Sequence, residues 1–181
     1  MSTWICLLRG VNLGAHNKLS MPHLRQALTD VGLARVRTYL QSGNVIMDSE
    51  VASKTEAAEI VSRVLVDSFA LQVPVIVRTP DELRRLDTWC PFRAEALERP
   101  TAVHLLHLTE AADPDRVTAL TEQRWEPDAI AVDGADAAIR YATTMHKSRL
   151  QHSTVLRRLG VDGTARNWRT FQALLELTAD D

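Results

Sequence analysis

The stretch Arg35-Val36-Arg37-Thr38-Tyr39-Leu40-Gln41-Ser42-Gly43-Asn44-Val45-Ile46-Met47 reads as two short strands, 35–40 and 45–47, around a tight turn. Serine, glycine and asparagine are what such a turn requires, and β-branched and aromatic residues flank it. Strands joined this closely must pair antiparallel, so the elements on either side of the hairpin decide the fold. Upstream, Thr3 to Leu8 is a buried strand closed by Arg9-Gly10. Ser20 then caps a helix with Pro22 in its first turn, with Met21, Leu24, Leu28 and Val31 on one face and Gly32 as its stop. Downstream, Ser53 and Glu56 form a capping box, and Ala57, Ile60, Val61, Val64 and Leu65 make an apolar stripe. Val73 to Val77 closes the series. The order is β-α-β-β-α-β, the split βαβ or ferredoxin-like motif.

The second half repeats the order less regularly. Thr79-Pro80-Asp81-Glu82 caps a short helix, and a polar connector between Pro91 and Pro100 places a boundary near residue 95. Thr101 to Leu108 is a strand, and Asp113-Pro114 opens a helix carrying Val117 and Leu120. Ala129–Val132 and Ala137–Tyr141 form a hairpin around Asp133-Gly134. A helix is predicted from Thr144 to Leu159, stopped by Gly160, and Asn167 caps a last helix with Trp168, Phe171, Leu174 and Leu175. The expected architecture is α+β: two ferredoxin-like lobes, 1–95 and 96–181, the second less regular and ending in a helix. A cleft between lobes is the expected place for a site.

The 181 residues, 45% hydrophobic and 24% charged, are enough for a substantial core. No apolar run is long enough to span a bilayer and no signal peptide is visible, so a cytoplasmic protein without a membrane partner is expected. Cys6 and Cys90 read as free, buried thiols. None of the six histidines forms a His-x-x-x-His pair, and neither metal nor cofactor is expected. His104 and His107, odd-spaced on a strand, should face opposite sides.

The net charge of -2 speaks against a generic nucleic-acid binder, but it averages over a pattern. Residues 1–47 hold Arg9, Lys18, Arg25, Arg35 and Arg37 against Asp30 alone. Residues 140–169 hold seven basic residues against Asp162 alone. If these segments converged they would attract an anion.

Within them, Gly10-Val11-Asn12-Leu13-Gly14-Ala15-His16-Asn17-Lys18 links a strand to a helix, where backbone amides favour anions. It is not a nucleotide-hydrolysing P-loop, because three residues separate its glycines and Lys18 stands apart. His146-Lys147-Ser148-Arg149 and Thr164-Ala165-Arg166-Asn167-Trp168 are the densest polar clusters, with Arg166 placed just before a helix. The expectation is a binding protein or unassigned enzyme whose inter-lobe cleft takes a small anionic, phosphate-bearing ligand. Arg9, Asn12, Lys18, Ser42, Asn44, Lys147, Arg166 and Asn167 would supply the donors. The alternative is a nucleic-acid or protein interaction module without catalysis. A hydrolase using Ser42 with His16 or His146 needs only proximity of those groups. Base stacking as in RNA-recognition motifs is disfavoured, since Val45-Ile46-Met47 has no aromatic and Trp4 reads as core.

Taken together, Leu7-Leu8-Arg9-Gly10-Val11-Asn12-Leu13-Gly14, Asn17-Lys18 through Met21, Thr38-Tyr39-Leu40-Gln41-Ser42-Gly43-Asn44-Val45 and Thr164-Ala165-Arg166-Asn167-Trp168 resemble the bacterial family called domain of unknown function 1697. The resemblance implies an α+β fold with ferredoxin-like halves. It supplies no activity, substrate, cofactor or catalytic residue. Where the family pattern usually carries a second glycine in the loop, this chain has Ala15.

Overall fold

In the computed structural model, which describes residues 1–179, the first six elements are β1 (Ser2–Leu8), α1 (Met21–Asp30), β2 (Ala34–Tyr39), β3 (Asn44–Ser49), α2 (Lys54–Phe69) and β4 (Val75–Arg78). The sheet order is β2-β3-β1-β4 with every neighbour antiparallel. That is the ferredoxin-like arrangement the element order predicts. Trp4, Cys6 and Leu8 alternate onto one face of β1 and join Val45 and Met47 of β3. Leu24 and Leu28 of α1 and Val61, Val64 and Leu65 of α2 complete this core. Trp4 is thus a packing residue and not a stacking platform.

Polar side chains close the helix ends. Ser20 Oγ accepts from the His23 amide, and Ser53 Oγ accepts from the Glu56 amide at 3.2 Å. The Glu56 carboxylate accepts from the Ala52 amide at 2.9 Å, one residue before its expected partner. One residue departs from the predicted stripe. Val31 falls just past the end of α1, outside the helical register, and is exposed.

The remaining elements are α3 (Pro80–Trp89), α4 (Arg93–Glu98), β5 (Val103–Leu108), α5 (Pro114–Thr121), β6 (Ala129–Asp133), β7 (Asp136–Arg140), a 3-10 turn (Met145–Lys147), α6 (His152–Leu159), β8 (Gly163–Asn167) and α7 (Trp168–Ala179). Their sheet, β6-β7-β5-β8, repeats the order of the first strand for strand. Thr79 and Glu82 form the predicted reciprocal box before α3: the Glu82 amide donates to Thr79 Oγ1 and the Thr79 amide to the Glu82 carboxylate. The described chain divides into two compact units, 1–84 with the residues from Leu174 onward, and 85–173.

Three predictions here need correction. The connector after Pro91 contains α4. The helix predicted from Thr144 is split, because the buried Ser148 turns its hydroxyl to Asp128 Oδ2 at 2.6 Å and accepts from the Leu150 amide at 2.9 Å. A serine bonding backbone in this way competes with the helical ladder, so α6 starts only at His152. The segment 163–167 is a strand pairing with β5 along its whole length.

Cys6 and Cys90 are both free and buried, and burial pushes the Cys6 thiol up to about 12. Among the described residues no helix is long and apolar enough to cross a membrane.

Candidate functional site

The chain leaves β1 anchored on two sides, through Leu8 N–H to Gly43 O at 2.8 Å and Arg9 N–H to Pro74 O at 3.0 Å. It then forms a loop organised by Asn12. The Asn12 Oδ1 accepts from the Leu19 amide at 2.8 Å, and Nδ2 donates to Leu19 O at 2.9 Å and to Gln41 O at 2.8 Å. Asn17 Nδ2 donates to Gly10 O at 3.0 Å, closing the loop on itself. Gly43 lies so close that a Cβ there would stand 2.6 Å from Val11 Cγ2 and 2.7 Å from Leu8 Cβ. Loop and hairpin turn, unconnected in the sequence, are therefore one assembly.

Asn12 and Asn44 are the frame of this assembly. Asn44 is fully buried, and its Nδ2 donates to Tyr39 O at 2.8 Å and to Ser42 Oγ at 3.0 Å. The exposed groups are His16, Lys18 and Ser42, with Arg9 half-buried beside them in sequence. Removing the staple has a calculable effect. Asn12→Ala deprives the buried Leu19 of both its amide and carbonyl partners and is expected to cost about 1–3 kcal/mol, read as a lower urea midpoint.

The other predicted donors lie in the second unit. Arg166 lies just before α7, as the sequence places it, and within β8: Arg166 pairs with Leu105 and Thr164 with His107 in the ladder. Its buried guanidinium donates from Nη1 to Thr164 Oγ1 and to Ala165 O, both at 2.8 Å, and burial lowers it to about 10. Asn167 Oδ1 accepts from the Thr170 amide at 3.0 Å, which caps α7 as the sequence predicts. Lys147 is exposed in the 3-10 turn. Ser42 and His16 belong to the first unit and His146 to the second.

Two histidine clusters escape sequence reading because their partners are far along the chain. His107 Nδ1 lies 2.8 Å from Asp136 Oδ1, both side chains buried, and the two residues face each other across the β5–β7 ladder. Arg85 pairs with Asp133 and stands 3.8 Å from the second Asp136 oxygen. On the opposite face of β5, as odd spacing requires, His104 Nδ1 is 2.9 Å from His152 Nε2, and His104 Nε2 is 3.1 Å from Thr101 O. A carbonyl only accepts, so His104 Nε2 carries its proton and His152 Nε2 donates to His104 Nδ1. The Tyr141 ring meets His104 edge-on at 5.0 Å, and its hydroxyl donates to Leu150 O. Burial lowers both imidazoles, His152 to about 4, with His104 and His146 adding repulsion. Among the described residues no group of three or more histidine, cysteine or acidic side chains is placed to hold a metal ion.

No curated protein matches the chain. A conserved bacterial protein from Streptococcus pneumoniae, SP0830, is similar in structure, with a TM-score of 0.74 at 23% identity over 97% of each chain. That likeness shows a shared two-lobe fold. The family model described as protein of unknown function (DUF1697) matches residues 1–137, which include the whole loop-and-turn assembly. The chain therefore belongs to the DUF1697 family, as its loop and turn strings suggest.

Proposed function

We propose that the protein binds a small anionic, phosphate-bearing ligand at the loop-and-turn assembly, with Arg9, Lys18 and Ser42 as donors. The observation that supports this reading is where left-handed backbone is concentrated. Of the five described non-glycine residues at positive φ, Asn12, Asn17 and Leu40 lie in the loop and the approach to the turn, alongside Gly10, Gly14 and Gly43. Glycine and asparagine adopt left-handed backbone at little cost, so Leu40 alone carries roughly 1–2 kcal/mol there and the tight winding of the loop rests on the side chains that hold it. Asn12 supplies that holding here, and the loop sequence carries Arg9 and Lys18 with no acidic residue between them. Phosphate oxygens take several N–H and O–H donors with positive charge. Lys147, Arg166 and Asn167 enter the same reading as a second group of donors, to be tested separately.

The test is thermal unfolding against nucleotides, sugar phosphates, acyl phosphates and inorganic phosphate. A ligand at 100 times its Kd adds about 2.7 kcal/mol, a midpoint shift of several degrees for a chain of this size. Lys18→Ala should abolish most of that shift while melting like the parent in the absence of ligand, since Lys18 is exposed. The same titration on Lys147→Ala and Arg166→Lys decides whether the second group takes part. No shift with any phosphate compound would end the proposal.

A further inference from the structure

The arginines of 140–169 include several that the loop-and-turn reading leaves unused, and two of them share one indole. Arg149 and Arg158 place their guanidinium carbons 5.4 and 5.0 Å from the centroid of the Trp125 ring. Arg149 Nη2 donates to Arg124 O at 3.0 Å, and Arg158 Nη1 donates to Gln123 Oε1 at 2.5 Å. Arg116 Nη1 donates to Arg158 O at 3.2 Å, at the carbonyl end of α6, where a cation is favoured. All three side chains are exposed, yet each is fixed by a carbonyl or amide oxygen and two also by the indole.

Oxygens of this kind orient a guanidinium without neutralising it. Among the described residues, none of Arg116, Arg124, Arg149, Arg157 and Arg158 has a carboxylate within 4.0 Å, and Glu122 and Glu126 in the same connection pair with none of them. Elsewhere in the same unit Arg85 pairs with Asp133, Arg93 with Asp87 and Arg140 with Glu95, while Arg99 donates to Ala142 O at 3.0 Å. Arg149 and Arg158 thus lie over Trp125 without a carboxylate partner, with Arg116 bound at the carbonyl end of α6 and Arg124 next to Trp125 in the chain. Arg116, Arg149 and Arg158 each spend one of five N–H donors within the protein.

We propose that this arginine-clad tryptophan is a docking surface for single-stranded nucleic acid, which supplies phosphates to the guanidinium edges and bases to their planar faces. Positive charges on exposed side chains of α5, α6 and the connections beside them match a linear polyanion. Trp125 itself is 6% exposed, so stacking falls to the guanidinium planes, which bases accept.

Fluorescence anisotropy with a labelled oligouridine of about 20 nucleotides, at about 50 and 200 mM salt, tests this directly. Binding is expected at low salt. In the Arg149→Gln/Arg158→Gln double variant, affinity near 50 mM salt should fall by roughly tenfold or more, and the salt slope should flatten by about 0.7 per arginine removed. Arg63→Gln/Arg93→Gln removes the same net charge elsewhere and should leave affinity within about twofold, since neither residue belongs to the patch. Absence of binding at low salt, equal weakening by both double variants, or tighter binding of a duplex of the same length would each overturn the proposal. Unchanged melting of both variants keeps the comparison clean, and an Arg149→Lys/Arg158→Lys variant separates charge from planar stacking.

Discussion

Gly43→Ala is expected to destabilise the first unit by about 3 kcal/mol, more than any other small substitution in the loop-and-turn assembly. Two costs coincide there. The backbone holds φ at +80°, a left-handed conformation that costs a side chain roughly 1–2 kcal/mol. The added methyl would also stand 2.6 Å from Val11 Cγ2 and 2.7 Å from Leu8 Cβ, both in the buried core, where overpacking costs about 1–3 kcal/mol. Because Gly43 O receives the Leu8 amide, backbone adjustment that relieves the clash weakens the β1–β3 junction. Gly14→Ala is the internal control, with φ +58° and nothing within 4 Å of the added atom, so only the conformational cost remains. Amide exchange in β1 and β3 should accelerate by about a hundredfold in Gly43→Ala and by about tenfold or less in Gly14→Ala. Equal acceleration in the two variants would show that the contacts around Gly43 yield at no cost.

The second large effect is loss of stability in acid, centred on His104 and His152. Both imidazoles are neutral in the fold and titrate below their ordinary value of 6.5, so the unfolded chain binds more protons between the folded and unfolded values. Their contribution is complete above about pH 6.5 and is lost as pH falls toward about 4, where His152 finally protonates. For His152 this amounts to about 3 kcal/mol at the acid end. Geometry gives the same sign. A proton on His104 Nδ1 would oppose the His152 N–H 2.9 Å away, and a charged His152 would sit on the first residue of α6, where the helix dipole repels a cation. His146 adds to the repulsion, and Tyr141, raised well above its usual range by burial and Asp128, stays a neutral phenol. His152→Gln keeps a donor toward His104 but cannot titrate. Urea unfolding of parent and variant at pH 7.5 and about 4.5 should therefore show a much smaller acid loss in the variant. An identical loss in both would place the acid sensitivity elsewhere.

The first unit was readable because its signals are local. Ser20, Ser53 and Thr79 announce helix starts by side chain, and Leu24, Leu28, Val61 and Leu65 keep helical spacing. The second unit hides more. Gly163–Asn167 contains one threonine, one buried arginine and an asparagine, so nothing in its composition reveals a largely buried edge strand. The break at Ser148 depends on Asp128, twenty residues earlier, and no window over the helix contains that partner. The candidate site shows the same division. Arg9, Lys18 and Ser42 stand out as polar residues in loops, but that Asn12 and Asn44 hold the frame follows only from their bonds to Leu19, Gln41 and Tyr39. The pairs His107–Asp136 and His104–His152 span 29 and 48 residues, and only strand register and helix docking bring them together.

The distribution of the two thiols makes this chain its own opening reporter. Cys6 lies in the centre of β1 in one unit and Cys90 just after α3 in the other, both buried and neither in a disulfide. A thiol pushed up to about 12 has almost no thiolate at neutral pH, so reagents modify Cys6 only during moments when its strand is exposed to water. Labelling kinetics followed by mass spectrometry, with the modified peptide identified, would then measure how often each unit opens, independently and in one sample. A ligand that stabilises only one unit would slow one label and leave the other untouched.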